Sequence, residues 1–161
     1  PYSIAITAHR FFGDKKPLDV RILATDIDTQ VLNRGKAGVY KAEDILEVVD
    51  VPTAKRYFQK GTGENEGLLR VKDFIRSMVH FRRLNLLDSS FPMKGVFDII
   101  FCRNVIIYFD RESQKRLFEN FHRYLAEDGY LFIGHSETLS GITDRFVFVR
   151  NTIYRKTPRT R

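Results

Sequence analysis

The sequence predicts an α/β protein with an open, doubly wound and mostly parallel sheet that ends in an antiparallel hairpin. Two nearly continuous apolar runs, residues 96–102 and 130–134, are typical of parallel strands that are covered on both faces. Between them lies a segment whose apolar residues share one helical face. Two further short apolar runs, residues 146–149 and 152–154, are separated by two polar residues and form the predicted hairpin.

The composition is that of a globular domain, with 161 residues, 43% hydrophobic and 29% charged. No apolar run approaches the ~20 residues of a membrane-spanning helix, so we expect no membrane insertion. The single cysteine, Cys102, excludes an internal disulfide framework and a cysteine-based zinc cluster. It fits a reducing compartment, and we expect a cytoplasmic protein.

The first part of the chain alternates helix, strand and helix. Residues 1–8 begin with proline and continue with good core residues, which predicts a helix. Residues 20–25 form a short apolar run that suits a buried strand. Asp28 can cap the next helix, which we expect to end near Gly35 or Gly38.

The composition then changes. Residues 52–60 form a basic stretch predicted to be helical, and residues 61–67 form a glycine-rich turn. Short strands are predicted at 68–71 and 78–84, so we expect a small antiparallel excursion that interrupts the larger α/β unit. This gives four segments: 1–50 as the first part of the main domain, 51–84 as an inserted β-subdomain, 85–157 as the remainder, and 158–161 as a tail.

The main domain resumes with the strand at residues 96–102. Asp110 can cap the helix that follows, and Gly129 is expected to end it before the strand at 130–134.

The basic residues are unevenly placed within a formal net charge of +7. Residues 51–83 hold eight basic and three acidic side chains, and residues 145–161 hold six basic and none acidic. Such blocks favour an anionic partner, such as nucleic acid, phospholipid or an acidic peptide, or they form solvated surface. No known motif interleaves aromatic and basic residues here, so nucleic acid is not the expected partner.

Ligands of open α/β sheets bind outside the carboxyl ends of the strands, where several polar residues fall in this sequence. Asp26 ends the first predicted strand and can accept hydrogen bonds from both hydroxyls of a ribose, although it can also cap the following helix. Asn85 can receive an adenine edge or form a turn. These residues fit any adenosine cofactor, including NAD and S-adenosylmethionine.

Arg103 and Asn104 follow the buried strand directly. A guanidinium at this point should face a carboxylate or a water-filled cleft, or pair with an acid such as Asp98 or Asp26. By composition alone Tyr108, in an apolar stretch, is more often a core residue.

The segment His135-Ser136-Glu137 suggests a hydrolase triad, but the nucleophile-elbow pattern lacks its final glycine, so acyl transfer is not favoured. The four histidines show no metal-ligand spacing, and we expect no metal site.

Taken together, these segments resemble the CheR chemotaxis methyltransferases, in order and with matching spacing from Pro1 to about Lys156. The likeness is carried by residues 24–29, 57–63, 85–87, 97–105, 107–109 and 134–137. It implies a Rossmann-like methyltransferase fold that transfers a methyl group from S-adenosylmethionine to glutamate side chains of chemoreceptors. The products are glutamyl methyl esters and S-adenosylhomocysteine.

The resemblance also implies site residues. Asp26 corresponds to the ribose-binding acid, Asn85 and Leu86 to residues around the adenine, Arg103 and Asn104 to a pair that lines the cofactor cleft, and Tyr108 to a tyrosine beside the transferred methyl. Tyr108 and Arg103 are therefore the implied catalytic residues.

The inserted segment resembles the part of the family that docks receptors. A glycine loop like Gly61-Thr62-Gly63 accompanies family members that bind a receptor's C-terminal pentapeptide, and Arg70 corresponds to an arginine of that surface. Lys60 stands where some relatives have arginine. Family members also carry a strand and a helical domain ahead of the residue matching Pro1, so an N-terminal helical portion of the same protein is an expected partner.

Two other functions remain open at this point. An NAD-dependent oxidoreductase shares the sheet and the acid at the end of the first strand. A non-catalytic receptor adaptor needs the glycine loop and Arg70, but it has no need of Asp26, Arg103 or Tyr108.

Overall fold

The described residues, 1–13 and 19–157 of a computed structural model, fall into two compact units, Pro1–Asn85 and Leu86–Arg161. Helices occur with both parallel and antiparallel strands, which confirms the predicted α/β class. The four-segment division stays a prediction, and the tail at residues 158–161 lies outside the described residues. No helix of the described part combines the length and apolar character that crossing a bilayer requires.

The first unit holds two small sheets and the helices around them. Its described elements are α1 (Tyr2–Phe12), β1 (Ile22–Asp26), α2 (Thr29–Ala37), β2 (Val39–Lys41), α3 (Ala42–Val48), α4 (Val51–Tyr57), β3 (Phe58–Lys60), a short 3-10 helix (Gly63–Asn65), β4 (Leu68–Val71), α5 (Asp73–Arg76) and β5 (Val79–Arg83). Strands β1 and β5 pair in parallel, with Asp26 opposite Arg83. The other three strands form an antiparallel sheet in the order β2-β4-β3.

Side-chain capping and a left-handed glycine set the ends of α2 as predicted. The Asp28 carboxylate accepts the amides of Gln30 and Val31. At the other end Gly38 adopts φ 63°, a conformation that favours glycine and stops the helix. The apolar core of this unit includes Tyr2, Ala5 and Ile6 of α1.

The small antiparallel sheet is present, but two details of its prediction are wrong. The helix predicted at 52–60 ends at Tyr57, because the buried side chain of Phe58 lies opposite Val71 and the chain continues as β3. The strand predicted at 78–84 exists as β5, yet it pairs with β1 in parallel rather than with the antiparallel sheet. The sheet also takes in β2, which precedes residue 51.

The second unit is a four-stranded mixed sheet with one long helix. Its described elements are β6 (Phe97–Cys102), a short 3-10 helix (Ile106–Tyr108), α6 (Arg111–Tyr124), β7 (Leu125–Ile133), β8 (Phe146–Arg150) and β9 (Ile153–Lys156). The strand order is β6-β7-β9-β8. β6 and β7 are parallel, and β8 and β9 form the predicted antiparallel hairpin.

The capping of α6 is confirmed, whereas its predicted end is wrong. The Asp110 carboxylate accepts the amide of Ser113 at 2.9 Å. The helix ends at Tyr124 rather than near Gly129, because Leu125 is extended, fully buried and paired with Phe97 as the first residue of β7.

The prediction that residues 96–102 are covered on both faces is also wrong for the described residues. Ile99 and Phe101, which share a face of β6, remain 49% and 43% exposed. The opposite face carries Cys102, which is buried. One apolar face of this strand therefore lies open.

Candidate functional site

Asp26 stands at the carboxyl end of β1 with part of its hydrogen-bonding capacity unused. One carboxylate oxygen accepts the Asp28 amide at 2.9 Å, and Asp28 in turn caps α2. The second oxygen of Asp26 has no hydrogen-bond partner among the described residues, and the side chain is half-buried. A carboxylate in this state can accept a hydrogen bond from a ligand hydroxyl.

The carboxyl end of β5 lies beside Asp26. The Leu84 amide donates to the Asp26 carbonyl at 3.0 Å, and Arg83 Nε donates to the Ile27 carbonyl at 3.3 Å. Asn85 follows at once and is half-buried, so Asp26 and Asn85 belong to the same end of one parallel strand pair. Leu86, also half-buried, is the first residue of the second unit.

In the second unit, the loop after β6 presents three of the predicted residues to solvent. Arg103 and Asn104 are exposed, and Arg103 forms no ion pair within the described part of the chain. Tyr108 lies in the 3-10 helix with 80% of its surface exposed, so it is not a core residue here. These side chains are free to meet a ligand or substrate.

The backbone of this loop is held by a carboxylate from the loop after β7. Glu137 Oε1 accepts the amides of Val105 at 3.0 Å and Ile106 at 2.8 Å. Its Oε2 accepts the amides of Asn104 at 3.2 Å and Gly134 at 2.5 Å. Glu137 is buried, and four backbone amides saturate its carboxylate.

This arrangement removes the triad interpretation of His135-Ser136-Glu137. Both Glu137 oxygens are engaged by backbone amides, and the neighbouring His135 and Ser136 side chains are exposed. Sequence reasoning considered Glu137 as part of an unfavoured triad and as part of the 134–137 segment of the resemblance, and it missed the backbone contacts of this residue. The available signal was an acidic residue three positions after a strand-ending glycine.

The buried thiol next to this loop is inert. Burial, assisted by the negative charge of Glu137, raises the pKa of Cys102 to about 12. The thiol is therefore protonated at neutral pH, and Cys102 acts as a small core residue rather than a nucleophile.

The other end of the same loop is tied to α6. Gln114 Nε2 donates to the carbonyls of Ile106 at 3.1 Å and Phe109 at 3.0 Å. Sequence reasoning also missed this residue, since a single glutamine on a helix carries no distinctive pattern.

A third group of predicted residues surrounds the antiparallel sheet of the first unit. Residues of β2, β3, β4 and the glycine loop line a surface pocket of about 280 Å³: Val39, Gln59, Lys60, Gly61, Thr62, Asn65, Leu68 and Arg70. Arg70 lies on the central strand, half-exposed, with a 3.3 Å contact to Asp73. The register places Val39 and Gln59 directly opposite Arg70, while Lys60 is opposite Leu69. Gln59, which sequence reasoning did not select, is thus the cross-strand neighbour of Arg70 on β3.

Two glycines shape the loop that closes this pocket. The Gly61 amide donates to the Leu68 carbonyl at 2.9 Å, and a Cβ at position 61 would lie 2.0 Å from the Asn65 carbonyl oxygen. Gly63 adopts φ 59°. The close approach and the left-handed backbone both require glycine, so the Gly-Thr-Gly sequence dictates this turn.

Comparison with known proteins gives one consistent family. The model of "CheR methyltransferase, SAM binding domain" matches residues 1–155. A chemotaxis protein methyltransferase of Klebsiella aerogenes is 43% identical over 154 residues, which are 96% of this chain and 52% of that protein. Chemotaxis protein methyltransferase 2 of Pseudomonas aeruginosa is 44% identical, over 96% of this chain and 54% of its own length. The chain thus spans about half the length of the curated relatives it matches.

Among solved structures, the glycopeptide N-methyltransferase MtfA complexed with S-adenosyl-L-methionine aligns with 96% of this chain and 66% of its own. The TM-score is 0.46 and the sequence identity 10%.

Proposed function

The chain belongs to the CheR methyltransferase family, and from that premise we propose that it is the S-adenosylmethionine-binding part of a chemotaxis protein-glutamate methyltransferase. The observation that carries the proposal is the state of Asp26. This half-buried carboxylate sits at the carboxyl end of a parallel strand and keeps one oxygen free of hydrogen bonds within the described residues. That position is where open α/β sheets bind nucleoside ligands.

The residues present fit such a cofactor. The free oxygen of Asp26 suits a ribose hydroxyl, and Asn85, at the adjacent strand end, suits the polar edge of a purine. We also assign Leu86 to the adenine and Arg103 and Asn104 to the cofactor, as the resemblance to the family implies. When bound, S-adenosylmethionine supplies an activated methyl group on a sulfonium, and S-adenosylhomocysteine is the product.

The substrate carboxylate needs little acid–base help. A glutamate side chain has a pKa of about 4.3 and is ionised at neutral pH, so the chain does not have to provide a general base. The residues of the site contribute by orienting the carboxylate and excluding water from it. The transfer forms a carboxylate oxygen–methyl bond and breaks the sulfur–methyl bond, and no proton moves.

Two exposed side chains are suited to this orienting role. Tyr108 offers a hydroxyl on a backbone that is fixed by hydrogen bonds. Arg103 offers an exposed guanidinium, without an ion pair among residues 1–13 and 19–157, that steers the incoming carboxylate. Tight pairing by Arg103 would stabilise the anionic ground state and slow the transfer. Arg103 therefore orients the substrate carboxylate without binding it strongly.

The substrates are the glutamate side chains of chemoreceptors, and the antiparallel sheet of the first unit docks the receptor. We assign an acidic C-terminal pentapeptide of the receptor to the pocket of this sheet, which Lys60, Gly61, Thr62 and Arg70 line. Gly63 belongs to the same glycine loop, and Lys60 and Arg70 supply positive charge. An extended peptide can add to a sheet edge through backbone hydrogen bonds. Docking raises the local concentration of receptor glutamates at the active site.

Two further assignments belong to the whole protein. The resemblance to the family implies an N-terminal helical portion of the same protein as a partner of this chain. A cytoplasmic location is proposed because the single cysteine, Cys102, fits a reducing compartment.

The test is calorimetry on the intact protein, with S-adenosylhomocysteine and NADH titrated in separate experiments. NADH represents the alternative function of an NAD-dependent oxidoreductase. We expect saturable heat with the first ligand and none with the second. Incubation with receptor and methyl-labelled S-adenosylmethionine should then give receptor-bound label that base releases as methanol, the signature of a methyl ester. Heat with NADH alone would overturn the cofactor, and base-stable label would overturn the carboxylate as acceptor.

A further inference from the structure

The role of Glu137 is not explained by cofactor or receptor binding. Resting on the proposed methyl transfer, we infer that Glu137 is a positioning residue: its buried carboxylate fixes the backbone of residues 103–109 and thereby places Asn104 and Tyr108. Glu137 itself contacts neither cofactor nor substrate in this assignment. It acts through the loop that it holds.

The first support is the geometry of three consecutive amides. The amides of Asn104, Val105 and Ile106 all donate to Glu137, at 3.2, 3.0 and 2.8 Å. Successive N–H groups that converge in this way form a concave anion site. In this chain the bound anion is the carboxylate of Glu137, which lies in the loop after the neighbouring strand β7.

The second support is the conformation that the carboxylate stabilises. Asn104 has φ 58°, in the left-handed region, which asparagine enters more readily than most other non-glycine residues. Without an acceptor, the buried amide of Ile106 would lose its hydrogen bond, and the loop would gain by rearranging. The Glu137 carboxylate therefore adds to the preference of Asn104 for this backbone shape, because it accepts the amides of residues 104–106.

The third support is that the loop is held on its other side by a separate residue. Gln114 Nε2 donates to the carbonyls of Ile106 and Phe109, which lie on either side of Tyr108. Within the turn, the Tyr108 amide donates to the Val105 carbonyl at 3.1 Å. An exposed tyrosine thus projects from a backbone that is fixed at both ends, an arrangement expected of a side chain whose position matters.

Other roles for Glu137 do not agree with these contacts. As a general acid or base it would need an oxygen open to the reacting atoms, but all four hydrogen bonds come from backbone amides of the same unit. As a partner of His135 it would need to face that side chain, which is exposed while Glu137 is buried.

The test replaces the carboxylate by an amide of the same shape in the intact protein, Glu137→Gln. The new side chain keeps one acceptor oxygen but directs an NH₂ group at two amide donors, so half of the contacts become repulsive. We expect kcat for methyl transfer to fall by about 10- to 100-fold, the scale of a small misplacement of a reacting group. KM for S-adenosylmethionine should change by less than kcat. The control is Glu119→Gln, the same substitution at an exposed position of α6, which should leave kcat unchanged.

Amide NMR separates positioning from general stability. In the wild-type protein, the Val105 and Ile106 amide protons should resonate downfield and exchange slowly. In Glu137→Gln these signals should shift and exchange faster, while amides of β7 and α6 keep their wild-type values. Unchanged kcat in a folded Glu137→Gln protein would overturn the inference.

The inference can still be tested if Glu137→Gln does not fold or if the wild-type protein is inactive, because the amide measurements need neither the variant nor activity. Rapid exchange at Val105 and Ile106 in the wild type contradicts the positioning role without any variant. If the wild-type protein transfers no methyl group, the proposed function fails, and the amide measurements still decide whether Glu137 holds the loop.

Discussion

Gly134 lies so close to Asn104 that a side chain at position 134 would collide with it. A Cβ at position 134 would lie 2.6 Å from Asn104 Oδ1 and 2.6 Å from Glu137 Oε2. The strand end of β7 and the loop after β6 can share the Glu137 carboxylate only because residue 134 has no side chain. The glycine is therefore a structural requirement of the loop that carries the candidate catalytic residues.

Gly134→Ala should consequently destabilise the second unit and disturb the loop. The added methyl group must displace Asn104 or Glu137, which corresponds to an overpacking penalty of about 1–3 kcal/mol. Urea unfolding of the intact protein would measure it. Ser136→Ala, at an exposed position two residues away, is the control and should change the free energy of unfolding very little. Equal stability of the two variants would contradict the close approach.

Asp26→Asn should weaken cofactor binding with little effect on folding. The substitution retains the shape of the side chain, but it replaces a charged acceptor by a neutral amide at the proposed ribose contact. Hydrogen bonds to charged groups contribute about 1.5–3 kcal/mol, so the Kd for S-adenosylhomocysteine should rise by roughly 10- to 150-fold in calorimetry. Asp44→Asn, an exposed acid on α3, is the matched control. An unchanged Kd would remove Asp26 from the site.

Tyr108→Phe should lower turnover while leaving cofactor affinity intact. The ring is retained and only the hydroxyl is lost, so binding that rests on Asp26 and Asn85 should not change. We expect kcat to fall by about tenfold or more if the hydroxyl orients the reacting groups. A rise in the Kd for S-adenosylhomocysteine with unchanged kcat would instead make Tyr108 a cofactor-binding residue.

Local signals in the sequence predicted the elements that local interactions decide. Asp28 and Asp110 cap helices through their own neighbours, and Gly38 ends α2 by its backbone conformation. Because such interactions span only a few residues, their residue types are sufficient to reveal them. The terminal hairpin was predictable for the same reason.

Elements decided by distant contacts were not predictable in this way. Tyr124 ends α6 because Leu125 pairs with Phe97, and no residue near position 125 signals that pairing. A Cβ at Gly129 would lie 2.8 Å from the Leu125 side chain, so this glycine serves close packing rather than a helix end. The same holds for Glu137, whose carboxylate accepts amides of the loop after β6. Those amides lie 31 or more positions earlier in the chain.

Cys102 should resist alkylation in the folded protein. Since burial raises the pKa of this thiol to about 12, the thiolate fraction rises only as the pH approaches that value. At about pH 8 iodoacetamide should modify Cys102 roughly a thousandfold more slowly than in the urea-unfolded protein, whose thiol has an ordinary pKa of about 8.5. Peptide mapping by mass spectrometry identifies the site. Comparable rates in the two states would show that the thiol is not buried.

Arg70→Glu should weaken binding of an acidic receptor tail while leaving cofactor affinity unchanged, because Arg70 lies on the central strand of the antiparallel sheet and contributes positive charge to its pocket. Reversing that charge replaces attraction by repulsion, so we expect the affinity for a receptor pentapeptide to fall by at least about tenfold. Binding to the wild-type protein should weaken as the salt concentration rises.

Two further variants serve for comparison. Gln59→Ala, directly opposite Arg70 on β3, removes a neutral contact and should lower the affinity for the peptide less than Arg70→Glu does. Lys94→Glu makes the same charge change at an exposed site of the second unit and serves as the control. Fluorescence anisotropy of a labelled peptide measures the affinity of all three variants. If Arg70→Glu and Lys94→Glu lose the same affinity, net charge alone explains the effect, and the peptide does not bind at this sheet.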